Sequence, residues 1–384
     1  MMAPSRGGEP AVQRAVAVVD QGAVERNCAR LVEVLGGSRL CAVVKANGYG
    51  HGAIECARSA LAGGATWLAL AAAAEAAELR SQLPDARLLT MGALTEAELD
   101  LALGADSDVA AWRRGFAHLV GERGAELGVR PRVHVKYDSG MGRLGERDPD
   151  AVLALVDAVA ADDRLDLAGL WTHFATADEP NSDFFGEQLG RFARLAERVR
   201  AEHPDVLVHA ANSAATLRDP ASHFDMARCG IAIYGLDPFH SDPFARGLEP
   251  ALELRSYVAD IKRFPAGASA GYGQRWRAPA DTWVGVLPIG YGDGVRRGLT
   301  NNGEALVGGK RYPFVGTVSM DNVTVDLGPA SSVEPGSAAV LIGAQGEDRI
   351  LCEEVARRLE TIHYEITCGI APRVPRVQVR SAGR

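Results

Sequence analysis

Lys45 stands directly after an apolar run, Leu40–Val44, that is typical of a buried strand. Glycines at positions 48, 50 and 52 predict a tight loop that leads into a helix beginning near Ala53. At the end of a strand in a parallel barrel, a lysine faces the active-site mouth, where its amine can form a Schiff base with a carbonyl compound. A surface lysine beside a glycine turn is the alternative that Lys45 alone leaves open.

A second group of polar residues lies on the predicted strand Arg132–Tyr137 and on the loop after it. His134, Lys136 and Asp138 share one face of this strand, which predicts that the polar face points into a barrel. The glycine-rich loop that follows would bring Arg143 over the barrel mouth, where a guanidinium binds an anion. A structural salt bridge between Arg143 and Asp138 remains the alternative.

The same group predicts a chemical modification of Lys136. An ammonium group next to Arg143 would place two cations together at low dielectric, whereas a carbamate supplies an anion that can hold the arginine. We therefore predict that Lys136 is carbamylated. An ordinary ammonium paired with Asp138 is the alternative.

Polar residues also end three later predicted strands. His173 ends the sixth strand, and Ser213 follows the seventh, immediately before a short helix. Arg228, Gly230 and Ile231 end the eighth, in a turn whose backbone N–H groups can face an anion. Barrel ligands commonly bind their phosphate at the loops after strands seven and eight, so this site and the strand-end lysine are predicted on one face. A plain helix cap is the commoner use of such a serine.

The elements that must position these residues alternate regularly between strand and helix. Eight strand candidates recur, at Leu40–Lys45, Trp67–Leu70, Arg87–Met91, Asp108–Ala111, Arg132–Tyr137, Leu167–His173, Leu207–Ala211 and Asp225–Cys229. Helices are predicted at 21–35, 71–83, 151–159 and 185–202. This alternation predicts an N-terminal (β/α)8 barrel of the TIM type over residues 12–247. A doubly wound sheet is disfavoured because no G-x-G-x-x-G turn follows the first strand.

Beyond a loop-rich hinge the pattern changes to a two-residue alternation. It predicts strands at Leu252–Ile261, Thr282–Pro288, Glu304–Val307, Lys310–Val315, Asn322–Leu327 and Ala338–Ile342. Asn302-Gly303 and Gly308-Gly309 are predicted hairpin turns, and Leu351–Leu359 is the one predicted helix. Residues 248–384 are therefore expected to form a smaller, mostly β C-terminal domain.

Composition narrows the function classes. A net charge of −8 argues against nucleic-acid binding, which needs basic stripes. No apolar run is long enough to span a bilayer, and Met1–Arg14 contains no apolar signal core, so a cytoplasmic protein without a membrane partner is expected. The six cysteines are widely spaced without a C-x-x-C pair, which indicates free thiols and no metal site.

Motifs over nearly the whole chain resemble those of the alanine racemases, enzymes that use pyridoxal 5'-phosphate. The matching stretches, in order, are Ala42–Gly52, Lys136–Gly145, Thr172–Ala175, Asn212-Ser213, Arg228–Gly235, Gly271–Gly273, Gly290–Gly294, Ser319–Asp321, Tyr364-Glu365 and Arg373–Arg376. Each stretch by itself is weak evidence, but their joint order is highly specific to this family.

The resemblance implies that Lys45 holds the cofactor as an aldimine. It also implies a set of phosphate-binding groups: Tyr49, Ser213, Tyr364 and the backbone at Gly230 and Ile231. His173 would support the cofactor ring, and Arg228 would face its pyridine nitrogen. Because an arginine keeps its own proton, the ring would be a weaker electron sink, which favours racemisation over transamination.

The remaining implied roles concern the substrate. Arg143 would contact the cofactor's phenolic oxygen and the substrate carboxylate, Met320 would add its backbone N–H, and Tyr291 would lie near the substrate entrance. Tyr272 would be the second base, opposite Lys45. The resemblance further implies a homodimer in which Tyr272, Tyr291, Met320 and Asp321 reach the barrel mouth of the other subunit.

The expected activity is the two-base interconversion of L-alanine and D-alanine, which supplies D-alanine for peptidoglycan. A broad-specificity or serine racemase is an alternative, because Ser319 and Gly369–Pro372 depart from the commonest family pattern. A barrel-type decarboxylase using the same cofactor is disfavoured, since decarboxylation needs no second base. A metallohydrolase with carbamylated Lys136, and ligands among His134, His173, His209 and Asp225, would belong to another class. A non-catalytic cofactor carrier would not need the second domain.

Overall fold

A computed structural model describes residues 13–383, which form two compact units. Gly22–Glu249 make up the barrel unit, and residues 13–21 join Pro250–Ala382 in the second unit. This division differs from the predicted 12–247 and 248–384, and residues 12 and 384 lie outside the described range. The difference arises from β1 (Val16–Asp20), which pairs with two strands of the second unit rather than with the barrel.

The barrel unit contains the eight predicted parallel strands. They are β2 (Arg39–Val43), β3 (Trp67–Leu70), β4 (Leu88–Thr90), β5 (Ser107–Ala111), β6 (Arg132–Lys136), β7 (Asp166–Trp171), β8 (Leu207–His209) and β9 (Met226–Cys229). Each pairs in parallel with the next, and β9 pairs with β2 to close the barrel. The predicted barrel fold is therefore confirmed.

Helices connect these strands. They are α1 (Gln21–Leu35), the short segment α2 (Lys45–Tyr49), α3 (Ala53–Ala62), α4 (Ala73–Gln82), α5 (Glu96–Gly104), α6 (Arg114–Leu127), α7 (Pro149–Ala160), α8 (Phe184–Glu202) and α9 (Ser213–Arg218). Local sequence explains several starts: Thr95 caps α5 in a capping box, and Asp148 caps α7 with a proline at its first position. No helix in the part of the chain that the structure describes could cross a membrane.

The second unit is mostly β structure. Its elements are β10 (Leu252–Tyr257), β11 (Asp260–Phe264), β12 (Ser269–Ala270), β13 (Trp276–Arg277), β14 (Thr282–Leu287), β15 (Glu304–Val307), β16 (Lys310–Pro313), β17 (Val323–Gly328), β18 (Ala338–Gln345), β19 (Asp348–Ile350), α10 (Cys352–Arg358), α11 (His363–Cys368) and β20 (Arg376–Val379). One sheet runs β16-β15-β18-β10-β1-β20, with β19 paired to β18. Another runs β11-β14-β17, and β12 pairs with β13.

Three predictions for this unit are wrong. Leu351–Leu359 is not its one helix, because α11 follows α10 after a short turn. The predicted strand Leu252–Ile261 is two strands in different sheets, because the backbone N–H groups of Val258 and Ala259 bond to separate partners as the chain crosses between the sheets. Asn302-Gly303 is not a hairpin turn, since both backbone N–H groups bond back to Leu299 in the turn before β15. The Gly308-Gly309 turn does join β15 to β16.

Candidate active site

Lys45 follows the end of β2 at the mouth of the barrel and is half-buried. The segment after it is a left-handed turn, with φ near 52° at Ala46, Asn47 and Tyr49. Such a conformation costs about 1–2 kcal/mol for each residue that carries a Cβ. The turn is braced by Glu75, whose carboxylate accepts from the Ala46 backbone N–H at 2.5 Å. The glycine pattern in the sequence predicted a tight loop. It did not predict that Ala46, Asn47 and Tyr49, which are not glycines, would also have left-handed backbone.

Tyr49, Ser213 and Gly230 form a small polar cluster at the ends of β2, β8 and β9. The Ser213 hydroxyl accepts from the backbone N–H groups of Gly230 (3.0 Å) and Ala232 (3.3 Å). A Cβ added at Gly230 would lie 2.4 Å from the Tyr49 hydroxyl, so the close approach of Tyr49 requires glycine at this position. Two hydroxyl groups and the turn that begins at Ile231 thus converge.

The helix-cap alternative for Ser213 is wrong. Asn212 is the N-cap of α9, and its side-chain oxygen accepts from the Ala215 backbone N–H at 2.9 Å. The Ser213 hydroxyl is therefore directed toward the β9 turn.

Arg228 is buried and held by groups from two neighbouring strands. Its Nη2 donates to the carbonyl oxygens of Thr172 (2.8 Å) and Ala210 (3.0 Å), and it lies 3.4 Å from Nδ1 of His173. Its Nη1 donates to Nδ1 of His209 at 2.8 Å. The guanidinium therefore has a defined orientation.

Burial and neighbouring charges disfavour protonation at this site. Burial lowers the pKa of Arg228 to about 10, which still leaves it a cation at neutral pH. Burial, followed by the charge of Arg228, holds the pKa of His173 well below its usual range. His173 is therefore neutral at pH 7.

The loop after β6 is held by Asp138. This buried carboxylate accepts from the backbone N–H groups of Gly140 (3.1 Å) and Gly142 (3.0 Å). Arg147 forms a long ion pair with this carboxylate, with Nε of Arg147 3.9 Å from Oδ2 of Asp138. Among residues 13–383 no salt bridge forms between Asp138 and Arg143, so that alternative is wrong. Arg143 is exposed.

Lys136 is buried, with Nζ 4.1 Å from the centre of the Trp171 ring. Burial, aided by the charges of Arg228, Arg143 and Lys45, lowers the pKa of Lys136 to about 7. A large fraction of this amine is therefore unprotonated at neutral pH. No salt bridge joins it to Asp138 within the described residues, so the paired-ammonium alternative is wrong as well.

The metal-centre alternative does not fit the geometry. His134 and His209 bond to each other at 2.8 Å, and each uses its second ring nitrogen on another partner. Asp225 is paired with Arg200. One group of potential metal ligands lies close together within residues 13–383, on the outer helices of the barrel: Asp157, Glu202 and His203.

Gln188 is a site-supporting residue that sequence reasoning missed. It is fully buried on α8 and donates to the Ser139 hydroxyl and to the His173 carbonyl, both at 3.3 Å. Its side-chain oxygen accepts from the Ala175 backbone N–H at 2.8 Å. Gln188 thus ties the loop that carries Arg143 to the end of β7. A glutamine on the apolar face of an amphipathic helix was the available signal.

In the second unit, Tyr272 lies in the loop between β12 and β13. Its side chain is 74% exposed, and its backbone carbonyl accepts from the Thr317 hydroxyl at 2.7 Å. Gly271 is required here, because φ is +70° and a Cβ would lie 2.9 Å from the Thr317 nitrogen. The loop is therefore anchored while the phenol is free to meet another surface.

Tyr291 and Met320 lie in two loops bonded to each other. The Tyr291 backbone N–H donates to the Ser319 carbonyl, and the N–H of Gly292 donates to the Met320 carbonyl. Arg373 bonds to Asp321 at 2.7 Å and fixes the second loop. Tyr291 is 43% exposed and Met320 52% exposed. Tyr364 lies on α11, and its role at a phosphate stays a prediction.

Comparison with known families distinguishes the racemase hypothesis from the other enzyme classes. The family model "Alanine racemase, N-terminal domain" matches residues 19–238, and "Alanine racemase, C-terminal domain" matches residues 251–378. The chain belongs to the alanine racemase family. Alanine racemases from Symbiobacterium thermophilum and Geobacillus stearothermophilus are each 39% identical to it, covering 94% and 95% of this chain and 96% and 93% of their own.

Solved alanine racemase structures have the same fold. The enzyme from Streptomyces coelicolor matches with a TM-score of 0.90 and 38% identity, over 96% of this chain and 98% of that one. The Bacillus anthracis enzyme with bound L-Ala-P matches with a TM-score of 0.89 and 35% identity, over 97% of each chain. The predicted family, fold and enzyme class are confirmed.

Alanine racemases depend on pyridoxal 5'-phosphate, and the residues of this chain fit that group. Tyr49 and Ser213 offer hydroxyl donors beside the Gly230 turn, where the approach of Tyr49 leaves no room for a Cβ. Such donors suit a phosphate. Lys45 supplies the primary amine that an aldehyde requires.

Proposed function

We propose that this protein interconverts L-alanine and D-alanine with pyridoxal 5'-phosphate. The observation that supports this most strongly is the excess of positive groups at the barrel mouth. The charges of Lys45, Arg143 and Arg228 all lower the pKa of Lys136. The Asp138 carboxylate, meanwhile, accepts hydrogen bonds from backbone N–H groups. This arrangement suits a ligand set with several negative charges, such as a cofactor phosphate together with a substrate carboxylate.

Residues of this chain would hold the cofactor at both ends. Lys45 would anchor it covalently, and Tyr49, Ser213, Tyr364 and the backbone of Gly230 and Ile231 would bind its phosphate. His173 would support the ring. Because the pKa of His173 is lowered, this support adds no further positive charge.

Arg228 would set the electronic character of the site. When bound, pyridoxal phosphate withdraws electrons from the substrate Cα and makes its hydrogen acidic. Arg228, held by two carbonyl oxygens and His209, would donate a hydrogen bond to the pyridine nitrogen without releasing its proton. The ring would then be a weaker electron sink, so a proton would return to Cα, which favours racemisation over transamination.

Racemisation needs one base on each face of Cα. Lys45 would act on one face for D-alanine, and Tyr272 would act on the other for L-alanine. The exposure of Tyr272, Tyr291 and Met320 supports a homodimer in which these residues and Asp321 reach the partner's barrel mouth. Arg143 and the Met320 backbone N–H would hold the substrate carboxylate, and Tyr291 would line the entrance.

Carbamylation of Lys136 belongs to this proposal. An unprotonated amine is the form that reacts with carbon dioxide, and the pKa of about 7 supports its presence at neutral pH. A carbamate would offer the exposed Arg143 an anionic partner that Asp138 does not provide.

We further propose a cytoplasmic location and a role in supplying D-alanine for peptidoglycan. All six cysteines are free thiols, five of them buried, which suits a reducing compartment.

The purified protein tests the proposal directly. An absorbance spectrum should show the yellow band of an imine of pyridoxal phosphate, and borohydride reduction followed by peptide mapping should place the label on Lys45. D-alanine should form from L-alanine at a rate lost in Lys45→Ala. A colourless protein that gains no activity with added cofactor, or a label on another lysine, would contradict the proposal.

A further inference from the structure

A chain of hydrogen bonds crosses the barrel interior and ends at Arg228. Asp108 on β5 bonds to Nε2 of His134 at 3.0 Å, and Nδ1 of His134 bonds to Nε2 of His209 at 2.8 Å. Nδ1 of His209 then accepts from Arg228 at 2.8 Å. The first three side chains have no exposed surface, and Arg228 is 3% exposed. Every proton in this chain must therefore have a partner within the protein.

The Arg228 end imposes one order of protons. A guanidinium only donates, so Nδ1 of His209 must be bare and Nε2 must carry the proton of a neutral ring. That N–H points at Nδ1 of His134, which must therefore also be bare. His134 is then neutral, with its proton on Nε2. Burial lowers the pKa of His209 well below its usual range, in agreement with a neutral ring.

The Asp108 end imposes the same order independently. Arg132 contacts this carboxylate at 2.6 Å and Arg87 contacts it at 3.0 Å. Burial by itself would raise the pKa of Asp108, but the hydrogen bond from His134 and the hydrogen bond and charge of Arg132 outweigh burial and hold it below the usual range. An ionised carboxylate only accepts, so Nε2 of His134 must donate to it.

We propose that Asp108 is a positioning residue for Arg228. Through His134 it keeps the proton of His209 on Nε2, and so preserves Nδ1 of His209 as the acceptor that orients the guanidinium. Without the Asp108 carboxylate, the Nε2–H of His134 would be buried without an acceptor. The proton of each ring could then move from Nε2 to Nδ1, and the Nδ1–H of His209 would face Arg228, which cannot accept it. The proton positions are independent of the proposed function, whereas the effect on racemisation rests on it.

Solid-state 15N NMR of histidine-labelled protein without cofactor tests the proton order. The nine histidines can be assigned with His134→Gln and His209→Asn, used only for that purpose. Both rings should be neutral and carry their proton on Nε2 at pH 7. A proton on Nδ1 of either ring, or on both nitrogens of one ring, would overturn the proposal. This measurement on the unaltered chain decides the matter even where a variant fails to fold.

Variants test the effect on Arg228. In Asp108→Leu, His209 should show a mixture of both neutral forms, and kcat of the loaded enzyme should fall about tenfold with little change in KM. Asp108→Asn keeps an oxygen that can accept from His134 and should restore the wild-type proton positions and kcat.

Asp106→Asn is the matched control, because Asp106 also bonds to Arg132 (2.7 Å) but lies outside the histidine chain. It should behave like the wild type. An Asp108→Leu protein that matches this control in both the NMR spectrum and kcat would overturn the proposal. A protein that binds no pyridoxal phosphate would contradict the proposed function, while the NMR of the cofactor-free chain would still decide this inference.

Discussion

At the residue scale, the chemistry depends on which groups hold a proton and which release one. Arg228 stays charged although burial lowers its pKa, because its pKa of about 10 is still far above neutral pH. Lys136 has a pKa of about 7 and is half-protonated there. Tyr272 and Lys45, the two proposed bases, differ in exposure: Tyr272 is exposed and Lys45 is half-buried.

Tyr272→Phe should nearly abolish exchange of the Cα proton with solvent when the reaction starts from L-alanine. Lys45 should still exchange the Cα proton of D-alanine without inversion, because it serves the opposite face. Deuterium incorporation from heavy water, followed by NMR for each enantiomer, measures both. Equal loss from the two isomers, with cofactor binding intact, would mean that Tyr272 has a structural role only.

Arg228→Glu should lower racemisation and raise the transamination side reaction, because a carboxylate can keep the pyridine nitrogen protonated and strengthen the electron sink. The measurement is the ratio of pyridoxamine phosphate formed to alanine turned over. Arg228→Lys, which keeps a cation at this position, is the control. An unchanged ratio in Arg228→Glu would refute the assigned role.

Lys136 should make stability depend on both pH and bicarbonate. Its folded-state pKa of about 7 lies below the ordinary 10.5, so the unfolded chain binds more protons between these values. Without carbon dioxide, stability should therefore rise with pH from about 7 to 10.5, by up to roughly 5 kcal/mol.

Bicarbonate should raise the Tm of the wild type near pH 8 but leave Lys136→Gln unchanged. The unprotonated amine of the folded protein reacts with carbon dioxide, whereas the same amine is protonated in the unfolded chain. 13C NMR with labelled bicarbonate should show a carbamate resonance in the wild type only. The same Tm shift in both proteins, or a carbamate signal in the variant, would count against carbamylation.

At the element scale, the site depends on turns that ordinary sequence patterns do not describe. The left-handed turn after β2 brings Tyr49 to Gly230, and the loop after β6 is held by Asp138 through backbone N–H groups. These loops carry the binding groups, whereas the parallel strands supply fixed positions for them.

Gly230→Ala should weaken binding of pyridoxal phosphate by on the order of 10-fold to 100-fold, since relieving a buried overlap typically costs 1–3 kcal/mol. The overlap is with the Tyr49 hydroxyl, so the tyrosine must move away from the phosphate position. A spectroscopic titration of the cofactor measures this. Gly186→Ala on α8, where a Cβ meets no atom within 4 Å, is the matched control and should bind normally.

At the scale of the whole molecule, the two units contribute different halves of the proposed chemistry. The barrel unit contains Lys45, Arg228 and the polar cluster around Ser213, while the second unit presents Tyr272 and Met320 on exposed loops. In a symmetric dimer each site would combine the barrel of one protomer with the loops of the other.

Mixed dimers test this division. Lys45→Ala and Tyr272→Phe proteins should each be inactive alone, but subunit exchange between them should restore about a quarter of the wild-type activity, because half of the dimers are mixed and each has one intact site. Racemisation measured before and after exchange is the readout. A mixture that gains no activity after verified exchange would place both residues in the same protomer's site.

The sequence by itself determined the eight barrel strands and the polar residues at their ends. Strands such as Trp67–Leu70 are buried apolar runs, and Gly48 and Gly230 mark turns, so local pattern was sufficient. The ordered motifs added the family. All of this information lies within a few consecutive residues, as periodicity and turn chemistry do.

Only the tertiary structure decided which distant groups became partners. β1 pairs with β10 and β20, the stretch from β10 to β11 divides between two sheets, and Asp108 reaches Arg228 through two histidines on other strands. Each of these pairings joins residues far apart in sequence. Their stability comes from the hydrogen bonds that buried polar groups make with one another and from completing sheets, and neither contribution is encoded in a local pattern.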